Sequence, residues 1–153
     1  MSNLETLLRV HARVSRDDFL RDGELWSPLW LIENDLGKRL IMAVPMSARD
    51  DRDAIAGMLR KAIREFGGVR YAFAMEAWFV PSTAKDQFGA PPRDHPERRE
   101  CLIIQGEDKN GEQRGVFYEI KRHGDRKPTL SKAEPTQEFT GRFADMFAVG
   151  PYT

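Results

Sequence analysis

The sequence has few of the features that mark a specialised class of protein. Its 153 residues include one cysteine, Cys101, so no internal disulfide can form and an oxidising compartment is not required. The N-terminus has no basic stretch that leads into an apolar run. No apolar run approaches the roughly 20 residues that span a bilayer. We therefore expect a cytoplasmic protein without a membrane partner.

The chain also has no excess of charge of either sign. It carries 24 basic and 24 acidic residues, a formal net charge of +0. Acids and bases alternate closely over 49–53 and 97–100, so no block of like charge stands out. Nucleic-acid binders usually show a basic excess, because phosphate contacts dominate their affinity. This charge balance predicts a protein that has no nucleic-acid partner.

The overall composition is that of a globular protein. Hydrophobic residues make up 41% of the chain and charged residues 31%. A chain of this length typically forms one domain and buries roughly 70% of the surface that it exposes when unfolded. We expect a single domain over 1–153 with a core that needs neither disulfide nor metal.

Two segments have the spacing of amphipathic helices. Apolar residues predict a helix over 3–22, ended by Gly23, although a capping pattern at Ser15 leaves one bent helix or two helices open. A second helix is predicted over about 51–66, where one continuous apolar stripe runs up to Gly67.

The predicted strands surround these helices in the chain. Strands are expected over 29–34 and 39–44, and a longer one over 69–80 has two largely apolar faces, as a central strand does. A turn over 123–128 and a last strand over 129–133 follow later. Together these elements predict an α+β fold, with an antiparallel sheet of about five to six strands and both main helices packed on one face.

Two segments have less regular patterns. The proline-containing stretch 81–96 predicts a long loop, and loops of that length are often functional. In the C-terminal segment 135–153, aromatic residues and a methionine follow helical spacing. We expect this segment to be partly helical and to dock back on the sheet rather than leave its apolar stripe exposed. The members of the stripe are Phe139, Phe143, Met146 and Phe147.

The clearest single element is a hairpin that turns at Asn110-Gly111, a pair typical of two-residue type I′ turns. A two-residue turn would place Gly106 opposite Gly115 and Cys101 opposite Ile120. It would also align three pairs of opposite charge, which favours this register over its one-residue slips. The charged pairs would be Lys109 with Glu112, Glu107 with Arg114, and Glu100 with Lys121.

Three short motifs lie between 71 and 111: Glu76-Ala77-Trp78, then 94–100 (DHPERRE), then 107–111 (EDKNG). These motifs resemble a family of small uncharacterised bacterial and phage proteins. The resemblance covers about a quarter of the chain. It implies a bacterial or phage setting and no particular chemistry, so no catalytic residue follows from it.

One group of residues forms the best candidate ligand site. Glu76 is an acid in an apolar strand, and it needs a partner if it is buried. Pairing of the strand 69–80 with the strand that follows the long loop would bring several polar side chains near it. The alternative is a structural ion pair between Glu76 and an arginine that anchors the loop. The candidate residues are Glu76, Trp78, Asp94, His95, Arg98, Arg99 and Glu100.

Other chemistries have little support in the sequence. No metal-ligand spacing or phosphate-binding glycine motif occurs, so neither metal nor cofactor is predicted. A nucleophilic pair of Cys101 with His95 or His123 is conceivable, but Cys101 lies mid-strand among apolar residues, where a free cysteine usually belongs to the core.

These patterns favour a non-enzymatic binding or protein-interaction module that self-associates or engages a protein partner. The absence of a catalytic constellation, the apolar second face of the strand 69–80 and the apolar stripe near the C-terminus motivate this hypothesis. One alternative is a small enzyme or ligand-binding domain with its site under the loop 81–96. Another is a phage-type inhibitor or accessory factor that acts on a host protein.

Overall fold

The computed structural model describes residues 2–25, 27–45, 52–79, 96, 98–136 and 146–147, which contain two helices and seven strands. Neither helix is long and apolar enough to cross a membrane. The helices are α1 (Asn3–Asp22) and α2 (Arg52–Phe66). The strands are β1 (Leu29–Asn34), β2 (Arg39–Ala43), β3 (Gly68–Phe79), β4 (Arg99–Asp108), β5 (Gln113–His123), β6 (Arg126–Leu130) and β7 (Glu134–Thr136).

The strands form one antiparallel sheet in the order β2-β1-β3-β4-β5-β6, and β7 also pairs with β5. The α+β class and the central position of β3 are therefore confirmed. The described sheet has seven strands, more than the five to six expected, because 126–136 contains two short strands instead of one. The predicted turn over 123–128 is also shorter, since His123 already pairs with Arg126.

Helix α1 is continuous through Ser15, so one helix forms here and not two. Its first turn is capped by Ser2, whose hydroxyl accepts a hydrogen bond from the Glu5 N–H at 3.1 Å. At the other end Gly23 takes a left-handed conformation (φ 78°) and donates to the carbonyl of Phe19. Ser15 itself is buried against the core, so its hydroxyl begins no new helix.

The two helices cover opposite faces of the sheet, which corrects the expectation that they share one face. Helix α1 packs on the face that carries Ala72 and Ala74 of β3. Helix α2 contributes Leu59 and Ile63 to a second core with the alternate residues of β3, Tyr71 and Phe73. Side chains alternate between faces along a strand, so the two apolar faces of β3 each need a covering layer.

Part of the C-terminal segment docks on the α2 side of the sheet. Met146 is buried, and its N–H donates to the carboxylate of Glu107. Phe147 lies against Tyr71, with ring centroids 5.8 Å apart. The expected docking is thus observed for these two residues. The two other members of the predicted stripe, and the predicted helix there, lie outside the described residues.

The hairpin between β4 and β5 turns through three residues, 109–111, and not through two. The Asp108 carboxylate accepts hydrogen bonds from the N–H groups of Asn110 and Glu112, at 2.9 and 3.2 Å. Gly111 adopts φ 94°, the left-handed conformation that closes a three-residue hairpin loop. This side-chain hydrogen bonding explains why the expected type I′ turn does not form.

The extra loop residue shifts the register by one position, so the predicted cross-strand pairs are wrong. Gly106 faces Arg114 instead of Gly115, and none of the three predicted charge pairs is formed across the ladder. The observed partners include Cys101 with Glu119, Leu102 with Tyr118, Ile103 with Phe117, and Glu107 with Gln113.

Gly106 lies where the backbones of β3 and β4 and the end of α1 come closest. A Cβ atom at this position would lie 2.5 Å from the carbonyl oxygen of Tyr71 and 3.2 Å from a methyl group of Leu4. The first contact is with backbone, which cannot rotate away as a side chain could. Only glycine fits this position without movement of the sheet.

We expect Gly106→Ala to lower the free energy of unfolding by about 2–3 kcal/mol, the upper part of the range for overpacked cores, as measured by urea denaturation. Gly37→Ala is the matched control, because Gly37 has φ 78° but no atom within 4 Å of its added Cβ. That control should cost only about 1 kcal/mol, from backbone strain alone. If the two variants lost the same free energy of unfolding, crowding at Gly106 would be unimportant.

Candidate functional site

Three of the predicted site residues share the α1 face of the sheet near the ends of β3 and β4. Glu76 and Trp78 are alternate residues of β3, and Trp78 lies directly opposite Glu100 of β4. Trp78 is 43% exposed, whereas Glu76 is half-buried. The structure therefore brings these three side chains together, as the predicted pairing of the two strands required.

An arginine from β5 that was not among the predicted residues joins this group. Arg122 donates two hydrogen bonds to Glu100, at 2.6 and 3.3 Å, and lies 4.0 Å from Glu76. It was missed because the expected register placed Lys121 opposite Glu100. In the observed register Arg122 is a diagonal neighbour of Glu100, a position from which long side chains still interact.

Glu76 is only weakly engaged by this arginine. Burial raises the pKa of its carboxyl above the ordinary value, and this effect outweighs a hydrogen bond from the Leu25 N–H and the charge of Arg122. The negative charges of Glu100 and Glu24 add to the rise. Glu76 is thus held among competing charges at the edge of the α1 core, with Arg122 paired primarily to Glu100.

The two predicted arginines occupy different places. Arg98 lies over the ring of Trp78, 5.0 Å from its centroid, in a cation–π contact on the side where Glu76 lies. Arg99 pairs with Phe79 of β3 and so lies on the opposite face, 3.7 Å from a carboxylate oxygen of Glu119. The structure does not bring Arg99 to the Glu76 cluster. The predicted loop 81–96, with Asp94 and His95, lies outside the described residues except for Pro96.

The candidate nucleophile Cys101 and the histidines His11 and His123 are held by burial or by contacts within the fold. Cys101 is buried, and burial together with the charge of Glu119 raises the pKa of its thiol to about 12. Burial lowers the pKa of His11, whose Nε2–H donates to the Leu29 carbonyl at 2.8 Å. His123 contacts Thr129. The described part of the chain contains no cluster of three or more potential metal ligands.

A large concave feature of the described structure lies elsewhere, between α1 and β5. This α1–β5 groove has a volume of about 1100 Å³ and is open to solvent. Apolar side chains lie on both of its walls, and its α1 wall carries three arginines and two acids, so that this wall is basic. Neither Glu76 nor Trp78 lines it. The lining consists of Glu5, Leu8, Arg9, Ala12, Arg13, Arg16 and Asp17 from α1, and of Gln113, Arg114, Gly115, Val116, Tyr118, Ala133 and Pro135 from the opposite wall.

The basic wall comes from one stripe of α1. Arg9, Arg13 and Arg16 follow the i, i+4, i+7 spacing that places side chains on the same helical face. This spacing is visible in the sequence beside the apolar stripe that predicts the helix, and it is the signal from which the basic wall could have been predicted. That β5 and β7 stand opposite the arginines depends on the tertiary fold, which the local pattern does not show.

The arginines of the groove differ in how far they are neutralised. Arg114 is paired with Glu5 at 2.9 Å and with Glu112 at 2.6 Å. Arg9 and Arg13 form no ion pair with a described residue. Their positive charges are therefore available to a ligand in the groove.

Arg16 lies on the same α1 wall of the groove. Its guanidinium lies over the ring of Tyr118, 4.8 Å from the centroid. The Nε atom of Arg16 is buried and has no hydrogen-bond acceptor among the described residues. This wall therefore contains a buried donor that the described residues leave unsatisfied, which is costly.

A second, smaller cavity lies where α2 ends beside β3. Its volume is about 470 Å³, and Arg60, Arg64 and Lys109 line it together with Asp35 and Met146. It is less than half the size of the α1–β5 groove, and Met146 and Phe147 form part of its wall.

Comparisons with known proteins do not add a function to this geometry. No protein-family model matches the chain, and no curated protein or solved structure matches it. The bacterial or phage setting implied by the short motifs finds no support in these comparisons. A function for this chain is therefore inferred from the site itself.

The raised pKa of Glu76 predicts a specific pH dependence. Because the folded state holds the Glu76 proton more tightly, this group contributes stability below the unfolded-state pKa, and that contribution is lost as pH rises through the folded-state pKa. The unfolding free energy of Glu76→Gln relative to wild type should therefore increase as pH rises from about 4, the ordinary range of glutamate, through the folded-state pKa.

Urea denaturation at several pH values measures this difference. Glu65→Gln is the control, because the Glu65 side chain is 67% exposed and forms a surface ion pair with Lys61. Its difference from wild type should stay within about 0.5 kcal/mol at all pH values. A relative stability of Glu76→Gln that falls as pH rises would show that Arg122 stabilises the carboxylate more than burial penalises it.

Cys101 should be unreactive in the folded protein. With a pKa of about 12 and a buried sulfur, it presents almost no accessible thiolate near neutral pH. We expect a thiol reagent such as DTNB to label it only at the rate at which the protein unfolds, and rapidly in denaturant. Fast labelling under native conditions would restore Cys101 as a candidate nucleophile.

Proposed function

We propose that this protein is a non-enzymatic binding module and that a partner protein docks in the α1–β5 groove. The observation that carries this proposal is a large open groove with two arginines, Arg9 and Arg13, that form no ion pair with the described part of the chain. Arg9 and Arg13 stand at its rim without an ion-pair partner among the described residues. In most structures exposed arginines of this kind are solvated, but here they lie beside apolar residues of the groove lining.

The apolar residues of the lining support a binding role independently of charge. Leu8 and Ala12 of α1 face Val116, Ala133 and Pro135 across the groove. A concave surface that combines apolar residues with a few charged groups is typical of ligand and peptide sites. Interfaces are also enriched in arginine and in aromatic residues such as Tyr118, which forms part of the lining.

The Glu76 cluster gives weaker support to the alternative, a small enzyme or ligand-binding domain. The raised pKa of the Glu76 carboxyl and the exposed ring of Trp78 are features found at functional sites. However, Arg122 and Arg98 already engage Glu100 and Trp78, respectively. Contacts of this kind are equally expected of a surface ion-pair network, so we favour the groove.

Selection from a library of random peptides tests the proposal without knowledge of the natural partner. We expect wild-type protein to enrich particular peptides and the double variant Arg9→Gln/Arg13→Gln to lose at least tenfold in affinity for them, about 1.4 kcal/mol. The loss follows from removing two charges that face the groove.

The matched control is Arg21→Gln/Lys61→Gln, which removes two positive charges from exposed helical positions outside the groove. It should bind the selected peptides as wild type does. The proposal would be wrong if no peptide were enriched, or if both double variants bound equally well.

A further inference from the structure

We infer that the occupant of the α1–β5 groove is an extended acidic segment of a partner protein, with carboxylates at alternate positions and apolar side chains between them. This inference rests on the proposed function and names the chemistry of the partner. Charge complementarity favours it, because four arginines and two acids line the groove. One arginine, Arg114, is already paired with Glu5.

The geometry of the basic stripe favours carboxylates on an extended chain. Arg9 and Arg13 are four residues apart on α1, a rise of about 6 Å along the helix axis. Alternate residues of an extended segment are about 7 Å apart and point to the same side. Two carboxylates separated by one residue therefore match the spacing of these two arginines.

The residues between the carboxylates would face the other wall. In an extended segment they point away from α1, toward the side of the groove that Val116, Ala133 and Pro135 line. Large aliphatic side chains would bury apolar surface there, worth roughly 25 cal/mol per Å² removed from water. An acidic chain without apolar residues would leave this surface uncovered.

A peptide fits the groove better than a nucleic acid does. Nucleic-acid sites neutralise several phosphates along a basic surface, and this chain has a net charge of +0. Among the described residues of the rim, Arg9 and Arg13 stand free of ion pairs, and Asp17 lies in the same wall. A repeating phosphate backbone would meet that carboxylate, whereas a short peptide can place its charges away from it.

Fluorescence polarisation with a defined probe tests the inference. The probe is a labelled peptide in which three glutamates alternate with two leucines, and its matched controls replace every Glu by Gln or every Leu by Ser. We expect both control peptides to bind at least tenfold more weakly than the probe. Binding should also weaken with added salt, since the contacts at the rim are exposed.

Variants of the protein provide a second arm. Arg9→Gln/Arg13→Gln should lower the affinity for the probe by about tenfold, as expected for the loss of two exposed ion pairs. The same variant should bind the Gln peptide as wild type does. Asp17→Asn should raise the affinity for the probe by roughly twofold to threefold, because it removes a repulsion comparable in energy to that of an exposed ion pair. Unchanged thermal unfolding shows that these variants are folded.

The outcomes separate this inference from the proposed function. Equal affinity for the Glu and Gln peptides, or no binding of the acidic probe while unrelated peptides are enriched by selection, would overturn the acidic partner and leave the binding module in place. Tighter binding of oligothymidylate than of the probe would also overturn it, in favour of a polyanion. Failure of both the probe and the selection would overturn the module itself.

Discussion

The burial of both faces of β3 is the constraint on which the rest of the structure depends. Tyr71 and Phe73 face α2, whereas Ala72 and Ala74 face α1. Neither helix alone could cover both sets, so the sheet must lie between them. The two faces also differ in side-chain size. The small alanines let α1 approach the sheet closely, whereas large aromatic side chains fill the space under α2.

The position of α1 over the sheet in turn creates the α1–β5 groove. Leu4 and Leu7 of the helix are fully buried against the central strands, which directs the adjacent stripe with Arg9 and Arg13 toward β5 and β7. Polar residues on that stripe therefore line a concave surface that is open to solvent. One face of α1 therefore packs in the core and stabilises the fold, and the adjacent face forms the charged wall of the groove.

The parts of the fold that were predicted correctly are those that depend on local periodicity. Helices α1 and α2 and the central position of β3 follow from apolar spacing over many residues. The register of the β4–β5 hairpin was predicted wrongly because one side chain, Asp108, redirects the turn. The Asn-Gly pair alone favours a two-residue turn, and the competing hydrogen bonds of Asp108 override that preference.

The candidate site was harder to predict for the same physical reason. The grouping of Glu76, Trp78 and Glu100 requires only that β3 pairs with β4, and that pairing was anticipated. The participation of Arg122 depends on the hairpin register, and the groove depends on which face α1 covers. The sequence contains the arginines of α1 at a clear spacing, but it does not show which surface stands opposite them.

The placement of β3 between two separate cores also has a consequence for hydrogen exchange. The α1 layer and the α2 layer contact different side chains of this strand, so either layer can open while the other keeps half of the strand's packing. The amides of β3 lie between these layers and are bonded to β1 on one side and to β4 on the other. They are therefore placed to exchange through global unfolding, whereas the amides of β7, paired along one side of β5, can exchange through local opening that leaves both cores intact.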